Sequence, residues 1–490
     1  MSKDYFLNKI KKNSKIFKNM IALEIGSDKI SYAEFWNKIQ FLASIIFKIK
    51  KNSKVVISGE KSLLSYVSMF SVLLAGGTYI PIASKTPVKR LNKILKLVKP
   101  SIVIGSISFT KNISNKNIKI INNFSYKNFN IKNIIKFDKI ISNKIAYIIF
   151  TSGSSGEPKG VMISRNSLSS YLKWLIPTLK IYPKKKCSQF PDMSFDLSVA
   201  DIYATLCGGG TLVPAYNSYY EMYPGRLIKN YKITHLVCVP SYIDLMINSG
   251  DLKSNNLKSL ENIFFCGEPL VKYQVSSIFK AKKSINVINA YGPTEATCSC
   301  TYKKITHKNF SNFSKTSMSI GKPIPGTKIF LRRNNKNNFT EGEMFISSTQ
   351  VGSGYFNRKN NKEKFFFSKN KKTLFKTGDY AIRFNKELYF KNRIDNQVKI
   401  KGHRIELDEI NFNLQKIGFK KVSSIVFKNN IFSFISTNRH VKQAIITKKL
   451  SKILPDYMIP KNFLVIKQFP LNKNKKIDNL KLIEILKKSI

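Results

Sequence analysis

The chain has 490 residues, 43% of them hydrophobic, with 84 lysines and arginines against 28 aspartates and glutamates and a formal net charge of +56. That length exceeds one compact core and predicts two or three domains, while the apolar share is that of an ordinary globular protein. The charge invites a nucleic-acid reading, which the composition disfavours: lysine carries most of it, nucleic-acid readers prefer the planar fork of arginine, and lysine travels with Asn, Ile and Phe, as in 111–119, the pattern of an AT-rich genome.

The six cysteines form no CxxC pair and the four histidines are scattered, so neither a disulfide framework nor a zinc site is expected. The N-terminus is polar and lysine-rich, without the apolar core of a signal peptide. Strands are predicted over 54–58 and 101–105. Between them, residues 62–84 carry no charge and are long enough to suggest a membrane span. Gly76, Gly77 and Pro81 interrupt that stretch, which instead predicts a helix over 62–75, a turn, and a strand over 78–83. No membrane insertion is expected, and the cytoplasm is the expected compartment. Residues 109–145 are rich in Lys, Asn and Ile with little amphipathic order, which predicts a surface segment.

An apolar run over 146–150 predicts a buried strand. It breaks into T-S-G-S-S-G-E-P-K-G over 151–160, a loop with three glycines, four hydroxyls and one lysine. Glycines let the backbone approach an anion, hydroxyls and amides donate hydrogen bonds, and Lys159 adds a full charge. That chemistry suits a nucleoside triphosphate, although the spacing is not that of a Walker loop. A plain Ser/Gly turn between strands is the alternative. Further short strands are predicted over 210–214, 235–239, 262–266 and 286–289, alternating with helical stretches in an α/β pattern. Near Arg393 a polar stretch leads into a smaller unit with strands over 423–427 and 431–435 and a helix over 443–454.

Several further segments stand apart: M-S-F-D-L-S at 193–198, F-F-C-G-E at 264–268, N-A-Y-G-P-T-E-A-T at 289–297 and K-T-G-D at 376–379. Residues 392–406, N-R-I-D-N-Q-V-K-I-K-G-H-R-I-E, and 470–478, P-L-N-K-N-K-K-I-D, complete the set. Together with the loop, in this order, they resemble the adenylate-forming (AMP-binding) superfamily of acyl-CoA synthetases, luciferases and amino-acid adenylation domains. Within it the chain is most similar to the D-alanine–carrier protein ligases, through the Asp of F-D-L-S, the Cys of F-C-G-E and the run Y-G-P-T-E-A-T. It departs from the family at Asn474-Lys475-Lys476, where Asn-Gly-Lys is usual, and at Asn392, where glycine is usual.

The resemblance implies an α/β fold: a large N-terminal domain of several sub-sheets with helices over 1–394, and a small mobile α+β C-terminal domain over 395–490. It implies attack of a carboxylate on the α-phosphate of ATP, with Mg²⁺ as cofactor, and then capture of the acyl group by the phosphopantetheine thiol of a separate carrier protein. Thr151, Ser152, Gly153, Ser154, Ser155 and Lys159 would hold the β- and γ-phosphates. Asn289, Ala290, Tyr291, Gly292 and Pro293 would carry the adenine, with Tyr291 stacked on it. Thr294 would touch the α-phosphate and Glu295 would help hold Mg²⁺. Asp379 would accept from the ribose hydroxyls, with Arg393 near ribose or phosphate. Lys476 would bridge the substrate carboxylate and the phosphate, and Asp395 would be the hinge.

Asp196 bears on substrate choice. A carboxylate in an apolar segment is costly to bury unless a cation pairs with it, and an α-ammonium supplies one; a helix cap near Leu197 is the structural alternative. Cys266 and Cys298 would line a small pocket around the substrate's Cα. The expected substrate is a small amino acid, D-alanine first, with another small amino acid or an acyl-CoA ligase as alternatives and a catalytically dead basic binding protein as a remoter one. No nucleic-acid partner is expected, and a basic surface would suit an acidic carrier.

Overall fold

The computed structural model of the chain describes residues 4–113, 115–122, 142–153, 156–333, 336–356, 361–367, 373–437, 442–472 and 477–489. They fall into two compact units, one within 1–84, 98–149 and 160–394, the other within 85–97, 150–159 and 395–490. The architecture is mixed α/β, with a large unit of several sheets and a smaller α+β unit, as expected.

The apolar runs become parallel strands. In one sheet of the large unit, Lys54–Ser58 lies between Thr78–Ile82 and Ile102–Ile104, and Tyr79 of Thr78–Ile82 registers with Tyr147 of Ile145–Thr151. Every residue of Thr78–Ile82 is buried, as strands covered on both faces require. The uncharged stretch before it folds as the helix Leu63–Leu74, capped by Ser62 and buried from Ser65 to Leu74. It packs beside Tyr32–Ile49, whose entry is a capping box: the Ser31 side chain accepts from the Glu34 N–H, and the Ser31 N–H donates to Glu34 at 2.8 Å. Among the described residues no helix is long and apolar enough to cross a membrane.

A second sheet of the large unit, nine-stranded among the described residues, runs parallel through Lys186–Gln189, His235–Cys238, Asn262–Phe265 and Asn286–Tyr291, then turns antiparallel at Thr301–Ile305. A third is antiparallel, built on the pairing of Glu341–Ser348 with Thr373–Phe384, which in turn pairs with Glu387–Arg393. A buried ion pair helps close this unit. Arg165 contacts Asp4 and also donates to the carbonyls of Leu73 at 3.0 Å, Gly77 at 2.8 Å and Asn143 at 2.8 Å.

The smaller unit has a hairpin, Gln397–Ile400 with His403–Glu406, and a sheet of Lys421–Phe427, Asn430–Ser436 and Asn462–Val465. Its core gathers Ile405, Ile410, Leu414, Ile435, Leu450 and Phe463. Within the segment over 109–145, where it is described, a helical turn Ile107–Thr110 leads to the strand Lys119–Ile121, which adds an edge to the first sheet, and Phe109 and Ile118 are buried. Residues 123–141 lie outside the described residues.

Candidate active site

Strand Asn286–Tyr291 delivers the first group of expected residues. Asn289 is buried and donates to the Ser319 carbonyl at 2.9 Å, and Ala290 and Tyr291 are buried beside it. At Gly292 a Cβ would sit 2.5 Å from Ser299 Cα and 2.7 Å from the Cys298 carbonyl, so the chain can pass only as glycine. After Pro293, Thr294–Ala296 forms a single 3₁₀ turn that buries Thr294 and Glu295. The Tyr355 hydroxyl donates to Glu295 Oε1 at 2.6 Å. Sequence reasoning missed Tyr355; its one local signal is the Gly352-Ser353-Gly354 run before it.

The backbone then enters the left-handed region at two non-glycine residues in succession, Thr297 at φ 54° and Cys298 at φ 72°. For a β-branched residue this is a costly conformation, held here by the Thr297 hydroxyl donating to the Gln350 carbonyl at 2.6 Å and by the Cys300 N–H donating to the Tyr291 carbonyl at 2.7 Å.

Asp379 lies in Thr373–Phe384, directly across from Arg393 in the neighbouring strand. Arg393 Nη1 donates to one carboxylate oxygen at 2.5 Å, and the Tyr291 hydroxyl donates to the other at 2.5 Å. Its own N–H donates to the Thr377 hydroxyl at 2.9 Å. Burial, and next the Asp379 charge, pushes the Tyr291 phenol well above its ordinary range, so it remains a donor. A carboxylate offers about four lone-pair sites, so Asp379 retains acceptor capacity beyond these two bonds.

Asp196 stands at the head of the helix Leu197–Gly208 in the position of a cap, yet its side chain makes no cap hydrogen bond. Its charge bears on two neighbours. The Cys298 thiol is pushed well up, first by its hydrogen bond with Cys266, then by burial and the charges of Cys266 and Asp196. The Tyr147 phenol is pushed up by burial, then by Tyr79 and Asp196, and its hydroxyl has no hydrogen-bond partner among the described residues. Cys266 is buried with Sγ 3.5 Å from the Cys298 carbonyl. Five residues on, Asp201 is wholly buried, and burial raises its carboxyl well above the usual range.

The loop belongs to the smaller unit. Thr151 donates to the Lys159 carbonyl at 3.4 Å, the Ser152 hydroxyl donates to the Arg404 carbonyl at 2.8 Å, and the Gly153 N–H donates to Glu409 Oε2 at 3.1 Å. Lys159 Nζ is 3.8 Å from Glu406 Oε1. Asp395 is exposed and accepts from the Gln397 N–H at 3.4 Å. Ser154, Ser155 and Lys476 lie outside the described residues.

Residues 10–356 match the family model described as AMP-binding enzyme. The chain belongs to the AMP-binding enzyme family. Among curated relatives of this family member, the D-alanine–D-alanyl carrier protein ligase of Listeria monocytogenes serotype 4b is 28% identical over 480 residues, covering 93% of this chain and 94% of that protein. The ligase of the same name from Staphylococcus haemolyticus is 29% identical, covering 95% of this chain and 96% of its own. The fold is that of the Vibrio cholerae adenylation domain AlmE, solved with glycyl-adenosine-5'-phosphate, at a TM-score of 0.86 and 22% identity over 98% of this chain and 97% of that one. It is also that of the o-succinylbenzoate CoA synthetase of Bacillus subtilis, at a TM-score of 0.82 and 17% identity over 97% and 98% of the two chains.

An AMP-binding enzyme is expected to take ATP, and the described residues offer the nucleotide an acceptor. Asp379, beside the Tyr291 turn, is an acceptor with capacity to spare. No cluster of three or more metal-ligating side chains exists among the described residues.

Proposed function

We propose that this chain is a ligase that activates a small amino acid, D-alanine first, as its aminoacyl-adenylate and passes it to the phosphopantetheine thiol of a separate carrier protein. In the first step the substrate carboxylate attacks the α-phosphorus and the bond to the pyrophosphate leaving group breaks. In the second, the carrier thiol, losing its proton, attacks the carbonyl carbon and AMP leaves. The first step brings anions together, so fixed donors and cations must face them.

The observation that carries the reading is Asp196: a carboxylate at a helix head that does not cap the helix, electrostatically in touch with Cys298 and Tyr147. A carboxylate so placed suits a substrate ammonium. The names of the relatives support D-alanine and a carrier protein. In this reading Tyr291 and Asp379 receive adenosine, the 151–159 loop receives the β- and γ-phosphates, and Glu295 holds Mg²⁺, which supplies charge neutralisation when bound. Lys476 bridges carboxylate and phosphate, Cys266 and Cys298 line the pocket, and Asp395 is the hinge between domains at 1–394 and 395–490. The enzyme works in the cytoplasm, where ATP is available.

The second reading is an acyl-CoA ligase, favoured only by the shared fold with the CoA synthetase. ATP–pyrophosphate exchange across D-Ala, L-Ala, Gly, Ser, acetate and longer acids separates the two. Exchange confined to acids without an ammonium group sinks the amino-acid reading, and exchange with L-Ala well above D-Ala sinks the enantiomer.

A further inference from the structure

Among the described residues of the 151–159 loop, Ser152, Gly153 and Lys159 each have a partner within the smaller unit. Glu409, on the helix Leu407–Lys416, is almost wholly buried, and its two oxygens do different things. Oε1 lies 2.5 Å from Nη1 of Arg90, itself buried, and Oε2 accepts the Gly153 N–H at 3.1 Å. The strand before this helix completes the seat. The Glu406 N–H donates to the Ser152 hydroxyl at 3.1 Å, that hydroxyl donates to the Arg404 carbonyl at 2.8 Å, and the Glu406 carboxylate lies 3.8 Å from Lys159 Nζ. At Gly156, φ 73°, a Cβ would come 2.1 Å from the Phe412 ring, so this glycine is needed for the loop to lie against the helix. A buried carboxylate is tolerated only when a cation and hydrogen bonds satisfy it, and here a guanidinium and a backbone amide do so.

Resting on the nucleotide reading above, we infer that Glu409, held by Arg90, is a carboxylate stand-in for nucleotide phosphate, and that β- and γ-phosphates or pyrophosphate must unseat it to use the Gly153 amide. Two anionic oxygens cannot share one N–H at hydrogen-bond distance. The seated loop and the phosphate-bound loop are therefore alternatives, and whatever weakens the seat strengthens phosphate binding by the same factor. Glu409 and Arg90 are positioning residues: they set how readily the loop accepts ATP and how firmly it stays closed once pyrophosphate has gone. AMP, which lacks both distal phosphates, does not compete with the seat.

Titration calorimetry on the full chain tests this with pyrophosphate and, as control, AMP. Glu409→Gln and the neutral pair Arg90→Gln/Glu409→Gln are each expected to bind pyrophosphate about tenfold tighter, equivalent to about 1.4 kcal/mol, with AMP affinity within about twofold of the parent. Unchanged or weaker pyrophosphate binding in variants that bind AMP normally overturns the inference, as does equal tightening toward AMP. A second measurement needs no substitution: in the unaltered protein, pyrophosphate should speed amide hydrogen exchange across 404–416 while AMP leaves it alone, and exchange there unaffected by pyrophosphate overturns the inference. The readout is binding, so the two readings fail separately. Tightening without any amino-acid-dependent exchange sinks the proposed substrate class, and intact exchange without tightening sinks the seat.

Discussion

The Tyr291 hydroxyl donates to Asp379 Oδ2 at 2.5 Å, tying the turn after Asn286–Tyr291 to the strand Thr373–Phe384. Arg393 holds the other oxygen, so the carboxylate is fixed from both sides. The polar tip of Tyr291 is thus spent within the protein, and what remains for a ligand is its ring.

That division of labour separates two substitutions. Asp379→Ala removes an acceptor together with the partner of two donors, and should raise the KM for ATP at least about tenfold. Tyr291→Phe keeps the ring and should leave that KM within about threefold. Amino-acid-dependent ATP–pyrophosphate exchange at varied ATP reads both, and a Phe variant as impaired as Asp379→Ala would assign the role to the hydroxyl.

Asp196→Asn keeps size and polarity and removes the charge. If the carboxylate meets a substrate ammonium, kcat/KM for D-Ala in the exchange assay should fall by about a hundredfold, the cost of losing a desolvated charge pair, with the KM for ATP little changed. An unaltered amino-acid requirement would make Asp196 structural.

Lys476 and Lys475 are neighbours in the segment where the family's glycine is missing. Lys476→Ala should slow adenylate formation by about a hundredfold or more, as removal of a fixed transition-state charge does, while transfer from preformed adenylate to carrier persists. Rapid-quench measurement of the two half-reactions distinguishes them, and Lys475→Ala showing the larger effect would move the role one residue back.

Asp4 and Arg165 form a buried pair between residues distant in sequence. Asp4→Asn leaves the guanidinium buried without its counter-charge and should cost about 3 kcal/mol or more, visible as a lower urea midpoint for the large unit. A midpoint unchanged within error would mean that the carbonyls of Leu73, Gly77 and Asn143 suffice to hold Arg165.

Burial pushes the His403 imidazole, stacked 3.9 Å from the Tyr457 ring, down to about 4 from its ordinary 6.5. A histidine kept neutral in the fold binds protons more readily when unfolded, so stability should fall as pH drops through the window from 6.5 towards 4. His235, likewise lowered to about 4 by burial, acts in the same sense in the large unit. His403→Phe keeps the stack without a titrating group, and its urea midpoint should depend less on pH across that window. An equal slope would assign the dependence elsewhere.

Much of the fold was legible because the chain is locally consistent. The strand Lys54–Ser58 falls where its apolar run predicts, and the helix Leu63–Leu74 and strand Thr78–Ile82 lie on either side of Gly76 and Gly77, where the uncharged stretch was expected to turn. Relationships across the fold were not legible in this way. Nothing near Glu295 in the chain announces Tyr355, and no rule of spacing links Gly153 to Glu409 or Arg90. The left-handed pair Thr297 and Cys298 was hidden for another reason: neither residue type favours that conformation, so only the packed surroundings reveal it. The Asp196 alternative was open in the sequence because the cap position and the carboxylate's task are separate questions, and only the missing cap bond parts them.

The membership of residues 85–97 and 150–159 in the smaller unit bears on how this enzyme can be recombined with its relatives. A chimera spliced at residue 394 alone would set a foreign helix opposite Arg90 and a foreign hairpin opposite Ser152. Grafts that carry all three stretches keep those partners together, and should be the ones that express as folded, exchange-competent hybrids.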